Sequence, residues 1–289
     1  MLPSEVEEYY SQHPIRVILV NNKEWEYIVS GHGKETILIL PGGGQSAQSN
    51  FRLIDELEKK YKVIAITIYE ADTIKELCVA INKILQKEKV NNVILYGLSL
   101  GGLMAQSYLK RNKDKVNTLI LSHCCTPKSS TYQKKVLLPL RVLNIFLPLV
   151  WHGLIKWSAK NFAGGVQGVS KQTQRESVKD QNRIDTLTQK FGQEFRDKYF
   201  TKRLLKTWIN LHSDFARESF QSSNLSNWRG QVLILRSDND PLVQDEGDFQ
   251  RLYPTATIHT FHNTGHLAYY YQFPTMIKII HKFLNRLVK

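Results

Sequence analysis

The sequence predicts an α/β protein with a mostly parallel central sheet flanked by helices and an inserted α-helical cap. Three observations lead there. Five short runs, residues 37–40, 63–66, 93–95, 119–121 and 232–235, are apolar throughout rather than alternating, which is the pattern of strands covered on both faces. Segments with helical spacing, such as residues 51–57 and 74–84, lie between the first four runs. The alternation then stops after Cys125 and resumes near Trp228, and the stretch between has helical character, breaks at Gly164-Gly165 and Gly168, and no clear strand signal.

At the amino-terminal end, residues 15–20 and 25–30 alternate more and are joined by Asn21-Asn22-Lys23, which suits an antiparallel hairpin at a sheet edge. Residues 269–287 return to helical spacing. The expected organisation is a core built from residues 1–125 and 229–289, with residues 126–228 inserted as a helical cap or lid. A chain of 289 residues with 42% hydrophobic content is long enough to bury a sizeable core as one large domain carrying an insertion. The first ten residues are acidic and lack the basic start and apolar centre of a signal peptide. The three cysteines, Cys78 and the adjacent Cys124-Cys125, have no framework spacing. They read as packing residues, and a cytoplasmic location is expected.

The formal charge is +13, and residues 126–228 hold 17 Lys plus Arg against 7 Asp plus Glu, so most of the excess lies in the cap. No nucleic-acid-binding motif accompanies it, and nucleic acid is not an expected partner. A solvated basic helical surface is the commoner reading of the charge, and attraction to anionic substrates, or transient contact with a membrane surface, is the functional one. Within the cap, residues 136–151 are strongly apolar but are interrupted by Pro139, Arg141, Asn144 and Pro148, which argues against a membrane span. The expectation is a pair of short buried helices packing the cap on the core. A greasy substrate entrance that dips into lipid is the second reading.

The densest chemical signal is Tyr96-Gly97-Leu98-Ser99-Leu100-Gly101-Gly102. Gly-x-Ser-x-Gly is common enough by composition that its context must decide. Here it follows the apolar run at 93–95 and precedes a segment rich in helix formers, residues 103–110. A nucleophilic serine needs that order: it must leave a strand on a sharp turn, and glycines two residues before and after allow strand and helix to approach closely.

With these features the chain resembles the α/β-hydrolase superfamily from about Pro14 to Lys289. Pro41-Gly42-Gly43-Gly44 is similar to the oxyanion loop after the third strand, Ser99 to the nucleophile, residues 236–243 to the acid loop, and Asn263-Thr264-Gly265-His266 to the histidine loop. The order Ser, Asp, His is the family's order. The resemblance implies that His266 takes the Ser99 proton, that Asp240 orients His266, and that the Leu100 and Gly43 amides receive the oxyanion. Pro41 stands where the family usually has histidine, so Gly44 is an alternative to Gly43. Asp238 is the rival acid. His259 and His262 should point to opposite faces of the preceding strand and do not suggest a metal cluster, while His152 and His212 lie in the cap.

The implied activity is that of a serine hydrolase cleaving a carboxylic ester or related acyl bond of an apolar small molecule through an acyl-enzyme, with no metal and no cofactor. Hydrolysis of a carbon–carbon bond or a lactone by the same triad is the alternative within enzymes. Outside enzymes, Leu252-Tyr253-Pro254 and the layout are similar to maspardin-like proteins, which implies a binding protein on a hydrolase scaffold.

Overall fold

The computed structural model describes residues 4–162, 181–218, 220–241 and 246–287. Strands β1 (Ile15–Val20) and β2 (Lys23–Ser30) pair antiparallel across Asn21 and Asn22. Both turn residues have positive φ, 53° and 60°, as a tight two-residue hairpin requires. The chain continues through β3 (Thr36–Leu40), α2 (Phe51–Leu57), β4 (Lys62–Ile66), α3 (Ile74–Lys87), β5 (Val93–Leu98), α4 (Leu100–Arg111) and β6 (Val116–Ser122). It ends with β7 (Gln231–Ser237), α9 (Glu246–Leu252), β8 (Thr257–Phe261), α10 (Ala268–Tyr271) and α11 (Phe273–Leu287). The eight strands form one sheet in the order β1-β2-β4-β3-β5-β6-β7-β8. It is antiparallel as far as β4 and parallel beyond it.

Successive residues of the central strands feed two cores. Leu38, Leu40, Ile64, Leu95 and Leu121 pack with Ile81 of α3 and Met104 of α4 on one face, while Ile37, Ile39, Val63, Tyr96 and Leu233 pack with Leu53 of α2 and Ile280 of α11 on the other. This two-sided burial explains why the runs are apolar without alternation.

Between β6 and β7 the described elements are helical: α5 (Ser130–Tyr132), a turn over Gln133–Leu137, α6 (Leu138–Phe162), α7 (Gln181–Tyr199) and α8 (Lys202–Arg217). The breaks expected at Gly164-Gly165 and Gly168 lie outside the described residues. Helix α7 is anchored to the core, with Arg183 bonded to Asp55 at 2.9 Å, Tyr199 bonded to Glu26, and Phe191 packed 5.7 Å from Phe51 between ring centroids. Arg203 of α8 reaches Asp72 at 2.7 Å. The sequence reading did not include a helix at the amino terminus. There, α1 (Glu5–Gln12) starts on a reciprocal Ser4–Glu7 capping box and buries Tyr9 against Phe191, with centroids 5.2 Å apart.

The apolar stretch 136–151 departs from the expectation of buried packing. Leu137 is buried, yet Leu138, Val142, Ile145, Phe146, Leu149 and Val150 are exposed. On the other side of α6, Trp151 and Leu154 pack on a cluster formed with Phe195, Tyr199 and Leu204. No single helix among the described residues is long and apolar enough to cross a membrane.

Helix and sheet approach closely at Gly101, where an added Cβ would lie 2.1 Å from the Leu40 carbonyl oxygen, while at Gly43 it would meet nothing closer than 3.9 Å. Gly101→Ala is therefore expected to destabilise the fold by about 3 kcal/mol or more. Gly43→Ala should be tolerated to within about 1 kcal/mol. Urea denaturation of both variants checks this, and an undisturbed Gly101→Ala midpoint would contradict the close packing.

Candidate active site

Ser99 sits between β5 and α4 with φ 49° and ψ −116°, a conformation that side-chain-bearing residues rarely adopt and that persists only when the surroundings enforce it. The enforcement is local. A Cβ on Gly97 would come 2.5 Å from the Gly101 carbonyl oxygen, the Ser99 amide donates to the Ser122 carbonyl at 2.9 Å, and the Gly102 amide donates to the Ser99 carbonyl at 2.9 Å.

The loops after β7 and β8 bring the other two side chains to this serine. His266 Nε2 lies 2.9 Å from Ser99 Oγ, and His266 Nδ1 lies 2.7 Å from Asp240 Oδ2. Asp240 is only 1% exposed, so its carboxylate is shielded from water and directed at the imidazole. Asp238 does not join them. It lies on the surface, 2.7 Å from His262 Nδ1, and accepts from the Asn263 amide at 3.0 Å. These contacts hold its carboxyl below the usual range, the Asn263 amide first and His262 next. Asn239 Oδ1 accepts from the Gly265 amide at 2.8 Å, and Ser237 Oγ and Thr264 Oγ1 are 2.8 Å apart. The neighbours of Asp240 thus stitch the acid loop to the histidine loop. Of the predicted acid loop, residues 242 and 243 lie outside the described residues.

Leu100 begins α4, so its amide belongs to the unsatisfied first turn of a helix, where negative charge is favoured. A Cβ on Gly43 would lie 3.9 Å from both Leu100 Cδ2 and Trp208 Cε2, which places the glycine loop beside that helix end. The triple glycine is less free than its sequence suggests. Gln45 Oε1 accepts from the Gly42 amide at 3.0 Å, Gln45 Nε2 donates to Tyr270 Oη at 3.1 Å, and Gly44 takes φ 81°. Gly42 is thereby spent as a donor. Gly43 and Gly44 stay open as alternatives.

Three residues of this site were not singled out from the sequence. Gln45 braces the glycine loop, and Trp208 brings the cap over it. The third is His123, 1% exposed with φ 46°, at the carboxyl end of β6 next to the strand that carries Ser99. Its ring stands edge-on to His266 with centroids 6.0 Å apart. Nδ1 is 3.0 Å from Ser122 Oγ, and Nε2 has no partner among the described residues. Burial first, and the neighbouring His266 second, lower its pKa from 6.5 to about 3. Its place at a parallel strand's carboxyl end was the available signal, because ligand sites in such sheets lie there. His212 in the cap is bonded through Nδ1 to Tyr132 Oη at 2.8 Å, and burial lowers its pKa to about 4. His259 packs on Phe261 at 4.7 Å.

For metal binding, the one group of three suitable side chains among the described residues is His13, Asp55 and Glu58. Its members are already bonded, His13 and Glu58 to each other at 2.8 Å and Asp55 to Arg183, and Ser99, Asp240 and His266 take no part in it.

A model of the serine aminopeptidase S33 family matches residues 70–268. Among solved structures, a carboxylesterase from Bacillus subtilis superposes with TM-score 0.63 at 14% identity, covering 97% of this chain and 95% of that one. A meta-cleavage product hydrolase from Pseudomonas fluorescens IP01 gives TM-score 0.63 at 17% identity over 94% and 98% of the two chains. Wild-type Cfl2 from Burkholderia cenocepacia gives 0.71 at 13% identity over 93% and 95%. No curated protein matches the chain by sequence.

His123 and His212 make stability sensitive to acid. Both have folded pKa values below the ordinary 6.5, so the unfolded chain binds their protons first. Their contribution is fully present above about pH 6.5 and is lost as pH falls toward 4, with a slope of at most about 1.4 kcal/mol per pH unit for each ring. His212→Phe should flatten the acid limb of a plot of Tm against pH. An unchanged limb would count against a neutral buried His212.

Proposed function

The chain belongs to the serine aminopeptidase S33 family of α/β-hydrolases, and on that premise we propose that it cleaves a carboxylic ester or related acyl bond through an acyl-enzyme on Ser99. The observation that carries the reading is the continuous relay from Asp240 through His266 to Ser99, with contacts of 2.7 and 2.9 Å, beside the amide-bearing start of α4.

As Ser99 Oγ attacks the carbonyl carbon, its proton passes to His266 Nε2. Asp240 holds Nδ1 protonated and balances the imidazolium that forms. The carbonyl oxygen becomes an oxyanion, which the Leu100 amide and one of Gly43 or Gly44 receive by hydrogen bonding; each such donor is worth roughly 3 kcal/mol in the transition state. Collapse of the tetrahedral centre expels the alcohol, which takes the proton from His266. Water then repeats the sequence on the acyl-enzyme: it gives a proton to His266 and forms the new carbon–oxygen bond, and as that tetrahedral centre collapses His266 returns the proton to Ser99 Oγ and the acid leaves.

Charge favours an ester over the free amino terminus of a peptide. An aminopeptidase must hold a cationic α-amine, whereas residues 126–162 of the cap contain six Lys or Arg and no Asp or Glu. Turnover of acyl esters in preference to aminoacyl anilides is the corresponding measurement, and the reverse preference would reject an ester substrate.

Ser99→Ala is expected to lower ester turnover by on the order of 10⁴-fold or more while keeping the wild-type Tm. A fluorophosphonate should label Ser99 in the unmodified protein. Retained activity in the alanine variant, or a label elsewhere, would sink the assignment.

Asp240→Asn should depress kcat by roughly 10⁴-fold, because the imidazole loses the acceptor that fixes its tautomer. Asp238→Asn, by contrast, should alter kcat by only a few-fold, since that carboxylate faces His262 and Asn263. Inverted effects in steady-state kinetics would transfer the role to Asp238.

A further inference from the structure

The exposed face of α6 has a composition that solvent does not explain. Leu138, Val142, Ile145, Phe146 and Leu149 recur at helical spacing and all face outward, with Ile145 72% and Leu149 81% exposed. A helix apolar on both sides is ordinarily covered on both sides. Here the inner side is covered by the cap, with Trp151 stacked on Phe200 at 6.0 Å. The outer side has no cover among the described residues.

The shape adds to this. The segments Gln133–Phe146 and Pro148–Leu154 meet at 110°. Pro148 lies inside the helix, where its missing N–H and its ring disrupt the turn before it. Ile145 and Phe146 precede the bend, and Leu149 and Val150 follow it, so the bend is an apolar knuckle. Lys134, Lys135 and Arg141 are exposed on the segment leading to it.

We propose that this knuckle docks on an anionic phospholipid bilayer, inserting into one leaflet while the surrounding cations meet lipid phosphates. Charge complementarity selects this occupant. Residues 126–162 hold six Lys or Arg and no acid. A second copy of the chain would set these cations against each other, and Lys is depleted at the core of protein interfaces. A bilayer supplies acyl chains for the knuckle and negative charge for its flanks. Inward from the knuckle, Trp151, Leu154 and Trp208 pack on one apolar cluster, and Trp208 lies over Gly43. The docking surface is therefore continuous with the wall of the site. That links docking to delivery of apolar acyl substrates, a consequence that rests on the reading of Ser99, whereas the docking itself does not.

The test is co-sedimentation of the full chain with vesicles of phosphatidylcholine, with and without phosphatidylserine. Binding should require phosphatidylserine and weaken as salt is raised. Ile145→Asp with Leu149→Asp should reduce it by about tenfold or more. Lys134→Glu with Arg141→Glu should reduce it by roughly five-fold for each cation removed. Because all four positions are exposed, Tm and turnover of a water-soluble acetate ester should remain at wild-type values. Ser99→Ala should bind vesicles as the wild type does.

No binding to anionic vesicles, binding equal on both vesicle types, or binding untouched by the aspartate pair would overturn the proposal. So would a dimer in analytical ultracentrifugation that the aspartate pair dissolves in the absence of vesicle binding. Vesicle binding without ester turnover would leave docking intact and reject the reading of the site. Turnover without vesicle binding would do the opposite.

Discussion

The closeness of α4 to the sheet is the constraint on which the rest of the structure depends. Only glycine allows it: a side chain at Gly101 would run into the Leu40 carbonyl, and one at Gly102 would come 2.6 Å from the Cys124 sulfur. The end of β3, the turn after β5 and the end of β6 are thus pressed together at one point. Strain at Ser99 follows from that compression. The turn cannot relax without separating α4 from β3, which would also move the glycine loop away from the first amide of the helix. Gln106, one turn further along α4, donates to the Cys125 carbonyl at 2.8 Å and fastens the helix to the segment after β6. Elbow, glycine loop and His123 are positioned by the same packing.

His266 and Asp240 arrive from loops rather than from regular elements, and their precision comes from neighbours with no chemistry of their own. Ser237, Asp238 and Asn239 each bond to the loop that carries His266. A carboxylate as buried as Asp240 is unfavourable without a partner. The stitched loops hold the imidazole where its Nδ1 hydrogen-bonds that carboxylate at 2.7 Å. Asp238 therefore has a structural use, which is why two aspartates stand two residues apart. Lys135, at the start of the apolar cap segment, donates to the Pro241 carbonyl at 3.1 Å, and so the cap is tied to the acid loop as well.

Most of the fold was legible in the sequence because its signals are local. Uniformly apolar runs marked the parallel strands, Asn21-Asn22 marked the hairpin, and the glycines around Ser99 marked the strand–turn–helix. What was not legible depends on contacts between distant segments. Helix α1 hides its one buried residue, Tyr9, among glutamates, and that burial is explained only by distant residues, Phe51 of the core and Phe191 of the cap. His123 reads as an unremarkable end of strand until β6 is placed between β5 and β7. The apolar stretch of α6 read as buried because composition reports that a helix is apolar and not whether both of its sides are covered.

The cap is accordingly built in two ways. Helices α7 and α8 are fixed by directional contacts, Arg183 to Asp55, Tyr199 to Glu26 and Arg203 to Asp72, which specify one orientation on the core. Among the described side chains of helix α6, Trp151 and Leu154 pack on the cluster of α7 and α8, an apolar contact that is less demanding of geometry. Trp208 of α8 packs on the cluster that Trp151 and Leu154 join, and a side chain at Gly43 would come within 3.9 Å of it. The apolar segment whose outer face is uncovered thus rests on the less directional contact, while the charged segments hold the cap in register with the sheet.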